Sequence, residues 1–340
     1  MRIETIKEQL RAAGAKPRHE TLALRAWAHG LPLDAFANVP ARHFPARLLA
    51  ALPVIERDLA GLARPRSEHA GEDGSARLLL ALADGQAIES VLLPNDGVCL
   101  STQVGCAVGC AFCMTGREGL LRQLGSAEIV AQVALARAHR TVRRVVFMGM
   151  GEPAHNLDNV LDDIDLLGRE GGLGHKNLVF STVGDRRVFE RLPQGAVKPA
   201  LALSLHTTSP ALRAELLPRA PRIDPAELVE LGERYARATG YPIQYQWTLL
   251  EGINDGDEEL DSIVKLLTGK YAVMNFIPYN TVEGLAFRRP SWERAAEMAR
   301  YLRQRGVLAK LRRSAGHDVE GGCGQLRARV APKARASFAS

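Results

Sequence analysis

Apolar and polar positions follow two different patterns along this chain. Near the amino terminus, apolar residues such as Ile3, Ile6 and Leu10 recur at helical spacing. They predict a small helical accessory region over residues 1–70, which ends in a polar, glycine-bearing connector or hairpin tip. Two β-prone runs then flank an Asp-Gly pair at positions 84 and 85, which predicts a short β-hairpin over residues 75–96.

From residue 97 onward, short apolar runs alternate with amphipathic segments. The runs predict strands at 98–102, 144–148, 177–182, 200–206, 243–249, 273–278 and 307–311, and the segments predict helices at 126–140, 157–169, 210–216, 225–238, 258–267 and 292–305. This alternation predicts an α/β domain over residues 97–330, with a parallel sheet covered by helices as a barrel or partial barrel. Functional groups then belong at the carboxyl ends of the strands. We expect residues 331–340 to form a basic, flexible tail.

The composition excludes several classes of protein. With 46% hydrophobic and 24% charged residues, the chain is neither disordered throughout nor collagen-like. No apolar run approaches the roughly 18 residues of a membrane span, and the first residues lack the apolar core of a signal peptide. Five cysteines in 340 residues cannot form a disulfide scaffold. We therefore expect a soluble, cytoplasmic, monomeric protein without membrane contact.

The positive charge is concentrated near the carboxyl end. Residues 300–313 carry six basic side chains and no acidic one: Arg300, Arg303, Arg305, Lys310, Arg312 and Arg313. Such a cluster attracts a polyanion through its phosphates. A solvated helix face is the alternative interpretation.

The clearest chemical motif is the C-x3-C-x2-C of Cys106, Cys110 and Cys113. Three soft thiolates on one short loop suit iron–sulfur or zinc coordination. A structural zinc site needs four ligands, and no fourth Cys or His lies nearby, whereas three ligands leave one iron of a [4Fe-4S] cluster open. Gly105 and Gly109 relieve backbone crowding around such a cluster. A zinc site or free thiols remain the alternatives.

This spacing, with the aromatic Phe112 before the last cysteine, resembles the radical S-adenosylmethionine (SAM) superfamily. The resemblance implies that the open iron binds SAM and that one electron, from a donor such as flavodoxin or ferredoxin, splits SAM to a 5′-deoxyadenosyl radical. A glycine-rich turn at 149–153 follows the apolar run 145–148, where the superfamily contacts the SAM amino group.

Five stretches, at 103–106, 149–153, 204–206, 277–280 and 323–326, make the chain similar to the RlmN/Cfr family of adenine-methylating RNA methyltransferases. The resemblance covers residues 75–330 and implies a partial (βα)6 radical SAM barrel. It also implies SAM-binding roles for Gly151, Glu152, Ser181, Ser204, Leu205, His206 and Asn280.

The remaining two cysteines, Cys99 and Cys323, match the reactive pair of that family. The resemblance implies that Cys323 takes a methyl group from one SAM, that a second SAM activates this S-methyl group for addition to adenine, and that Cys99 then resolves the intermediate through a transient Cys99–Cys323 disulfide. Glu89 matches the acidic residue that accepts the ring proton. The alternatives are two inert thiols and an exposed glutamate at a strand edge.

The resemblance implies an adenosine target in ribosomal RNA and, in some members, transfer RNA, with carbon 2 preferred over carbon 8. Arg312 and Arg313 are candidates for RNA backbone contacts. Two other functions stay open. One is a radical SAM enzyme that acts on a protein or small molecule, with Cys99 and Cys323 inert. The other is a non-catalytic iron–sulfur or zinc RNA-binding module.

Overall fold

The amino-terminal region is helical, as predicted. The computed structural model describes residues 1–37 and 43–328, so the predicted tail at 331–340 lies outside the described residues. Three helices open the chain, namely α1 (Ile3–Ala12), α2 (Pro17–Ala28) and α3 (Ala46–Ala60). Their apolar stripes join the main hydrophobic core, which anchors this region to the rest of the molecule.

The end of this region is a strand, in the segment that the sequence predicted to be a polar connector or hairpin tip. Strand β1 (Arg64–Ala70) pairs antiparallel with β2 (Ala76–Ala81), which pairs antiparallel with β3 (Ala87–Leu93). Most side chains of β1 are exposed, so no apolar alternation marks it in the sequence. The predicted hairpin is therefore part of a three-stranded unit.

The main sheet continues from this unit. Strand β4 (Gly97–Leu100) pairs antiparallel with β3, and β5 (Gln103–Gly105) and β6 (Leu120–Gln123) form a separate two-stranded pair. From β4 onward the strands are parallel and follow chain order: β7 (Arg144–Phe147), β8 (Leu178–Thr182), β9 (Ala200–Ser204), β10 (Ile243–Leu249), β11 (Ala272–Pro278) and β12 (Ala309–Leu311). Strands β1 and β12 are the two edges of the sheet, so the barrel is partial, as predicted.

Helices connect the parallel strands and, apart from one short helix, lie in the predicted places. They are α4 (Ser126–His139), α5 (Leu157–Arg169), α6 (Arg186–Arg191), α7 (Pro210–Leu216), α8 (Pro225–Thr239), α9 (Asp257–Leu267) and α10 (Trp292–Gln304). The side chains of Ser209, Asp224 and Ser291 accept hydrogen bonds from the first turns of α7, α8 and α10, which explains why these helices begin there. Helix α6 was not predicted, because six residues are too few to show a helical period.

The barrel interior holds a small apolar cluster of Val146, Val179, Ala200 and Ala202, with Cys99 packed against it. The carboxyl ends of β4 and β7 to β11 meet above this cluster, so their loops share one edge of the sheet. None of the helices among the described residues combines the length and apolar character needed to cross a bilayer.

Candidate active site

Cys106, Cys110 and Cys113 lie on the cysteine loop (residues 105–119), which joins β5 to β6. The loop is closed by its own backbone: the Cys106 N–H donates to the Gly119 carbonyl at 2.9 Å, and the Cys113 N–H donates to the Cys110 carbonyl at 3.0 Å. Gly105 has φ +77°, and a Cβ there would lie 2.1 Å from the Gly119 carbonyl oxygen. Glycine is therefore required for this closure.

Backbone N–H groups and one hydroxyl donate hydrogen bonds to the sulfurs of Cys106 and Cys113. Burial raises the pKa of the Cys106 thiol to about 12, while the Val108 and Gly109 N–H groups act in the opposite direction. Burial likewise raises the pKa of Cys113, against hydrogen bonds from the Thr115 hydroxyl and the backbone after it. Hydrogen bonds to sulfur are a feature of iron–sulfur sites. The thiols and their donors thus fit a bound [4Fe-4S] cluster.

The surroundings of the cysteine loop are apolar. Phe112, Val183, Leu216 and Leu250 form part of a hydrophobic cluster against which all three cysteines pack. Among the residues that the structure describes, no three His, Cys, Asp or Glu side chains converge so as to hold a single metal ion. The three thiols therefore fit a cluster, in which each of the three thiolates binds a separate iron.

The turn after β7 places Gly151 and Glu152 beside the loop. Gly151 has φ +104°, and a Cβ there would lie 2.6 Å from the Gln103 side chain. The buried Glu152 carboxylate accepts hydrogen bonds from the Ala154 N–H at 3.0 Å and the Val183 N–H at 2.9 Å. Burial raises its pKa to about 7. Glu152 therefore ties the turn after β7 to the end of β8.

The other predicted SAM-binding residues lie at or just after strand ends along the same edge. Ser181 is the second-to-last residue of β8, Ser204 is the last residue of β9, and the buried Leu205 follows it. His206 has its ring centroid 4.9 Å from that of Phe112, and its Nδ1 accepts the Thr248 N–H at 3.0 Å. Burial lowers the His206 pKa to about 3.

Asn280 lies just after β11 and contacts the Cys323 segment (residues 316–328). Its Nδ2 donates to the Cys323 carbonyl at 3.0 Å and to the Ser314 hydroxyl at 2.7 Å. The structure thus brings one predicted SAM-binding residue against the predicted methyl carrier.

The segments that carry Cys99 and Cys323 lie close together, since a Cβ on Gly321 would lie 3.5 Å from Val91, which pairs with Cys99 between β3 and β4. Cys99 lies on β4, and its pKa is raised by burial and, secondarily, by the charge of Cys323.

Cys323 as a residue is exposed, but desolvation of its thiol raises the pKa of that group. A hydrogen bond with the Ser314 hydroxyl and the charge of the Arg312 guanidinium act in the opposite direction. The Cys323 thiol also interacts electrostatically with Cys113. All five cysteines are free thiols in this structure.

Glu89 is 1% exposed on β3, so the alternative of an exposed strand-edge glutamate is wrong. Its Oε1 accepts a hydrogen bond from Arg77, and its Oε2 accepts the N–H groups of Arg327 at 2.7 Å and Ala328 at 3.0 Å. Sequence reasoning missed all three partners, since no spacing relates residue 89 to residues 327 and 328.

Arg213 was also missed. It is 4% exposed on α7 and donates hydrogen bonds to the carbonyls of Leu205 and Val183. Burial lowers its pKa to about 10, and the nearby Cys110 and Glu152 oppose this shift. The Arg213 guanidinium thus places a buried positive charge near Cys110 and Glu152. A lone arginine in a short helix carries no sequence signal for this role.

The basic residues near the carboxyl end are exposed. Arg313 lies over the Trp292 ring, with its guanidinium carbon 4.7 Å from the ring centroid. Arg312 lies close enough to Cys323 to lower the pKa of its thiol. Their contact with RNA stays a prediction.

Comparison with known proteins places this site in a family. The sequence model described as "Radical SAM superfamily" matches residues 100–267, which include the three cysteines of the loop. A probable RNA methyltransferase of Aromatoleum aromaticum is 76% identical, over 97% of this chain and 93% of that protein. Another from Methylibium petroleiphilum is 73% identical, over 98% of this chain and 95% of that protein.

A solved structure agrees with the sequence relatives. The crystal structure of a radical SAM methyltransferase from Sphaerobacter thermophilus superimposes with a TM-score of 0.83 at 34% identity, and the match covers 97% of this chain and 98% of the other. The chain therefore belongs to the radical SAM superfamily and, within it, to the family of these bacterial relatives.

Proposed function

We propose that this protein is a radical SAM methyltransferase that methylates a ring carbon of adenosine in RNA, with carbon 2 preferred over carbon 8. Ribosomal RNA is the proposed target, with transfer RNA as a second one.

The observation that carries the proposal is that the Cys323 segment contacts both the cysteine loop and the strand beside Cys99. The Gly324 carbonyl accepts the Met114 N–H at 2.8 Å. A Cβ on Gly321 would lie 3.5 Å from Val91, the β3 partner of Cys99. Methyl transfer through a protein thiol needs that thiol near the resolving cysteine and near the SAM site. The names of the relatives support an RNA substrate.

Membership in the superfamily implies a [4Fe-4S] cluster and SAM. Cys106, Cys110 and Cys113 would hold the cluster, and the charge of Arg213 would offset its anionic ligands. When bound, the cluster and SAM supply a 5′-deoxyadenosyl radical, which permits reaction at a ring carbon that has no lone pair. SAM would be bound by Gly151, Glu152, Ser181, Ser204, Leu205, His206 and Asn280.

Cys323 carries the methyl group in this proposal. Its thiolate attacks the methyl carbon of one SAM, so that a sulfur–carbon bond forms while the methyl–sulfonium bond breaks and S-adenosylhomocysteine leaves with the electron pair. Burial raises the pKa of this thiol, and the Ser314 hydroxyl and Arg312 act against that rise, which increases the fraction present as the attacking thiolate. The second SAM of each turnover serves to activate the carried methyl group.

Glu89 and Cys99 complete the transfer. Glu89 accepts the proton from the substituted ring carbon, as a general base must. After the unpaired electron of the adduct has passed to the oxidised electron carrier, the Cys99 thiolate attacks the Cys323 sulfur. A sulfur–sulfur bond forms while the bond from the Cys323 sulfur to the transferred carbon breaks. That carbon leaves with the electron pair and takes up a proton to become the methyl group, and a Cys99–Cys323 disulfide remains. A thiol reductant returns both residues to thiols. We further propose that the enzyme acts as a monomer in the cytoplasm, with flavodoxin or ferredoxin as the electron donor.

Nucleoside mass spectrometry tests the proposal directly. RNA from cells that lack this protein should contain less methyladenosine than RNA from complemented cells, and purified enzyme with SAM and a reductant should restore the methyl group. Unchanged methyladenosine in the deletion strain, together with no methylation in vitro, would contradict an RNA substrate.

Intact-protein mass spectrometry tests the thiol route separately. Purified protein should carry one added methyl group, which a Cys323→Ser variant lacks. RNA methylation at the wild-type rate by that variant would exclude the thiol route but leave the RNA assignment standing.

A further inference from the structure

Both oxygens of the buried Glu89 carboxylate accept hydrogen bonds in this structure. Oε1 accepts from Arg77, and Oε2 accepts two backbone N–H groups, from Arg327 and Ala328, which lie 238 and 239 residues further along the chain. A general base must come within hydrogen-bond distance of the proton that it removes. Because Glu89 is 1% exposed and two backbone N–H groups cover its Oε2, a substrate can reach that oxygen only when these donors move away.

The donors belong to the strap, which we define as residues 326–328. Leu326 is buried, and its carbonyl accepts the Thr115 hydroxyl at 2.7 Å. The Arg327 guanidinium pairs with the exposed Glu320 at 2.8 Å. Ala328 has φ +48°, a left-handed conformation that is unfavourable for a residue with a Cβ. The strap is thus held by a few polar contacts and includes one strained residue.

A cavity of about 640 Å³ lies beside the strap. Arg327 and Ala328 line it together with Ala87, Met114 and Met150. The Met150 sulfur also accepts the Glu89 N–H at 3.3 Å, so this cavity and Glu89 share a wall. Its volume falls in the range of roughly 300–1,000 Å³ that is usual for small-molecule sites. Enzymes that modify a base take it out of its stack into such a pocket.

We propose that this cavity receives the target purine nucleotide and that the strap is the gate between the cavity and Glu89. The entering nucleotide displaces the backbone of residues 327 and 328 from the carboxylate and takes their place. The Glu89 carboxylate thereby stays hydrogen-bonded to residues 327 and 328 until RNA binds. This inference rests on the proposed function, because it assumes an RNA nucleotide as the substrate.

Hydrogen exchange tests the gate in the cluster-loaded enzyme. Without reductant, so that no turnover occurs, peptides covering 326–328 are followed by mass spectrometry with and without an RNA fragment that the enzyme methylates. The amides of residues 327 and 328 should exchange roughly tenfold faster with RNA bound, because their acceptor is lost. Unchanged or slower exchange with a fragment that is methylated overturns the gate and leaves the proposed function intact. A protein that methylates no RNA overturns both.

Two variants should shift the gate in opposite directions. Ala328→Gly relieves the positive φ and stabilises the closed strap, so the KM for RNA should rise about fivefold. Glu320→Gln removes a partner of Arg327 and loosens the strap, so the KM should fall by about twofold.

Matched controls exist elsewhere in the chain. Asn95→Gly replaces another residue at positive φ (+60°), and Glu227→Gln breaks another exposed ion pair, with Arg186. Neither residue contacts the strap, so neither variant should change the KM. Shifts of Ala328→Gly and Glu320→Gln in the same direction, or no shift in either, would overturn the gate.

Discussion

Two cysteine-bearing segments meet in this site, and they are held in different ways. The cysteine loop is closed by hydrogen bonds within residues 105–119, and Gly109 and Gly116 touch so closely that a Cβ on Gly116 would lie 2.7 Å from the Gly109 Cα. The Cys323 segment also has local hydrogen bonds, such as that from the Gly321 N–H to the Gly316 carbonyl at 2.7 Å. Its position nevertheless depends on distant partners, such as Asp73 on the Gly316 N–H and Asn280 on the Cys323 carbonyl. Local closure suits a rigid ligand set, whereas separate long-range contacts can be broken one at a time.

The largest effect should come from the rigid segment. Cys113→Ala removes one of three ligands, so anaerobically reconstituted protein should lose its iron and all reductive cleavage of SAM. Iron content and visible absorption measure this loss. Cys99→Ala is the control, because Cys99 lies on β4 outside the cysteine loop. Equal iron in both variants would show that the loop is not the cluster site.

Substitutions of Cys323 and Cys99 should have different effects. Cys323→Ser should abolish RNA methylation and keep the iron, because only the methyl carrier is lost. Cys99→Ser should still accept a methyl group on Cys323 but should accumulate enzyme joined to RNA, since no thiol resolves the intermediate. Denaturing gels with labelled RNA distinguish the two. Identical behaviour of both variants would contradict distinct roles.

Two glycines sharpen the contrast between the segments. Gly105→Ala forces a Cβ against the Gly119 carbonyl at positive φ and should cost about 2–5 kcal/mol of unfolding free energy. In Gly324→Ala the added Cβ would lie 3.2 Å from the Phe112 carbonyl oxygen. This substitution should lower the unfolding free energy by about 1–2 kcal/mol, chiefly because the residue has a φ of +85°. Chemical denaturation of the metal-free proteins measures both costs. A larger cost at Gly324 would reverse the comparison.

The smallest effect on the site should come from a buried carboxyl far from both segments. Asp163 on α5 is fully buried, neither of its oxygens has a hydrogen-bond partner among the described residues, and burial raises its pKa well above the usual value. A raised folded-state pKa means that stability is lost as pH rises from the unfolded pKa through the folded one. Asp163→Leu should therefore stabilise the fold by about 1–3 kcal/mol at pH 7, and by less at pH 4.

Thermal unfolding between pH 4 and pH 8 measures this gain. Iron content should be unchanged in Asp163→Leu, because the substitution touches neither segment. Iron loss in this variant would mean that cluster retention follows global stability rather than the closure of the cysteine loop. A gain that is independent of pH would contradict the raised pKa.

Particular elements show what could be predicted from the sequence. Helices α5 and α7 were predicted residue for residue, since an apolar stripe or a Ser-Pro start is a local signal. Strand β1 was missed, because its exposed side chains form a strand only through pairing with β2. The engagement of Glu89 by residues 327 and 328 was missed for the same reason.

The sequence by itself determined the periodic elements, the spacing of the three loop cysteines and the residues at the strand ends, because each depends on near neighbours in the chain. The approach of Cys323 to Cys99 was implied by the family resemblance and not by any spacing, and only the tertiary structure decided that Arg213 lies near Cys110 and that a strap covers Glu89. These contacts join residues up to 239 positions apart, and they form only when the parallel sheet brings its strand ends to one edge. No local period or spacing encodes such a meeting.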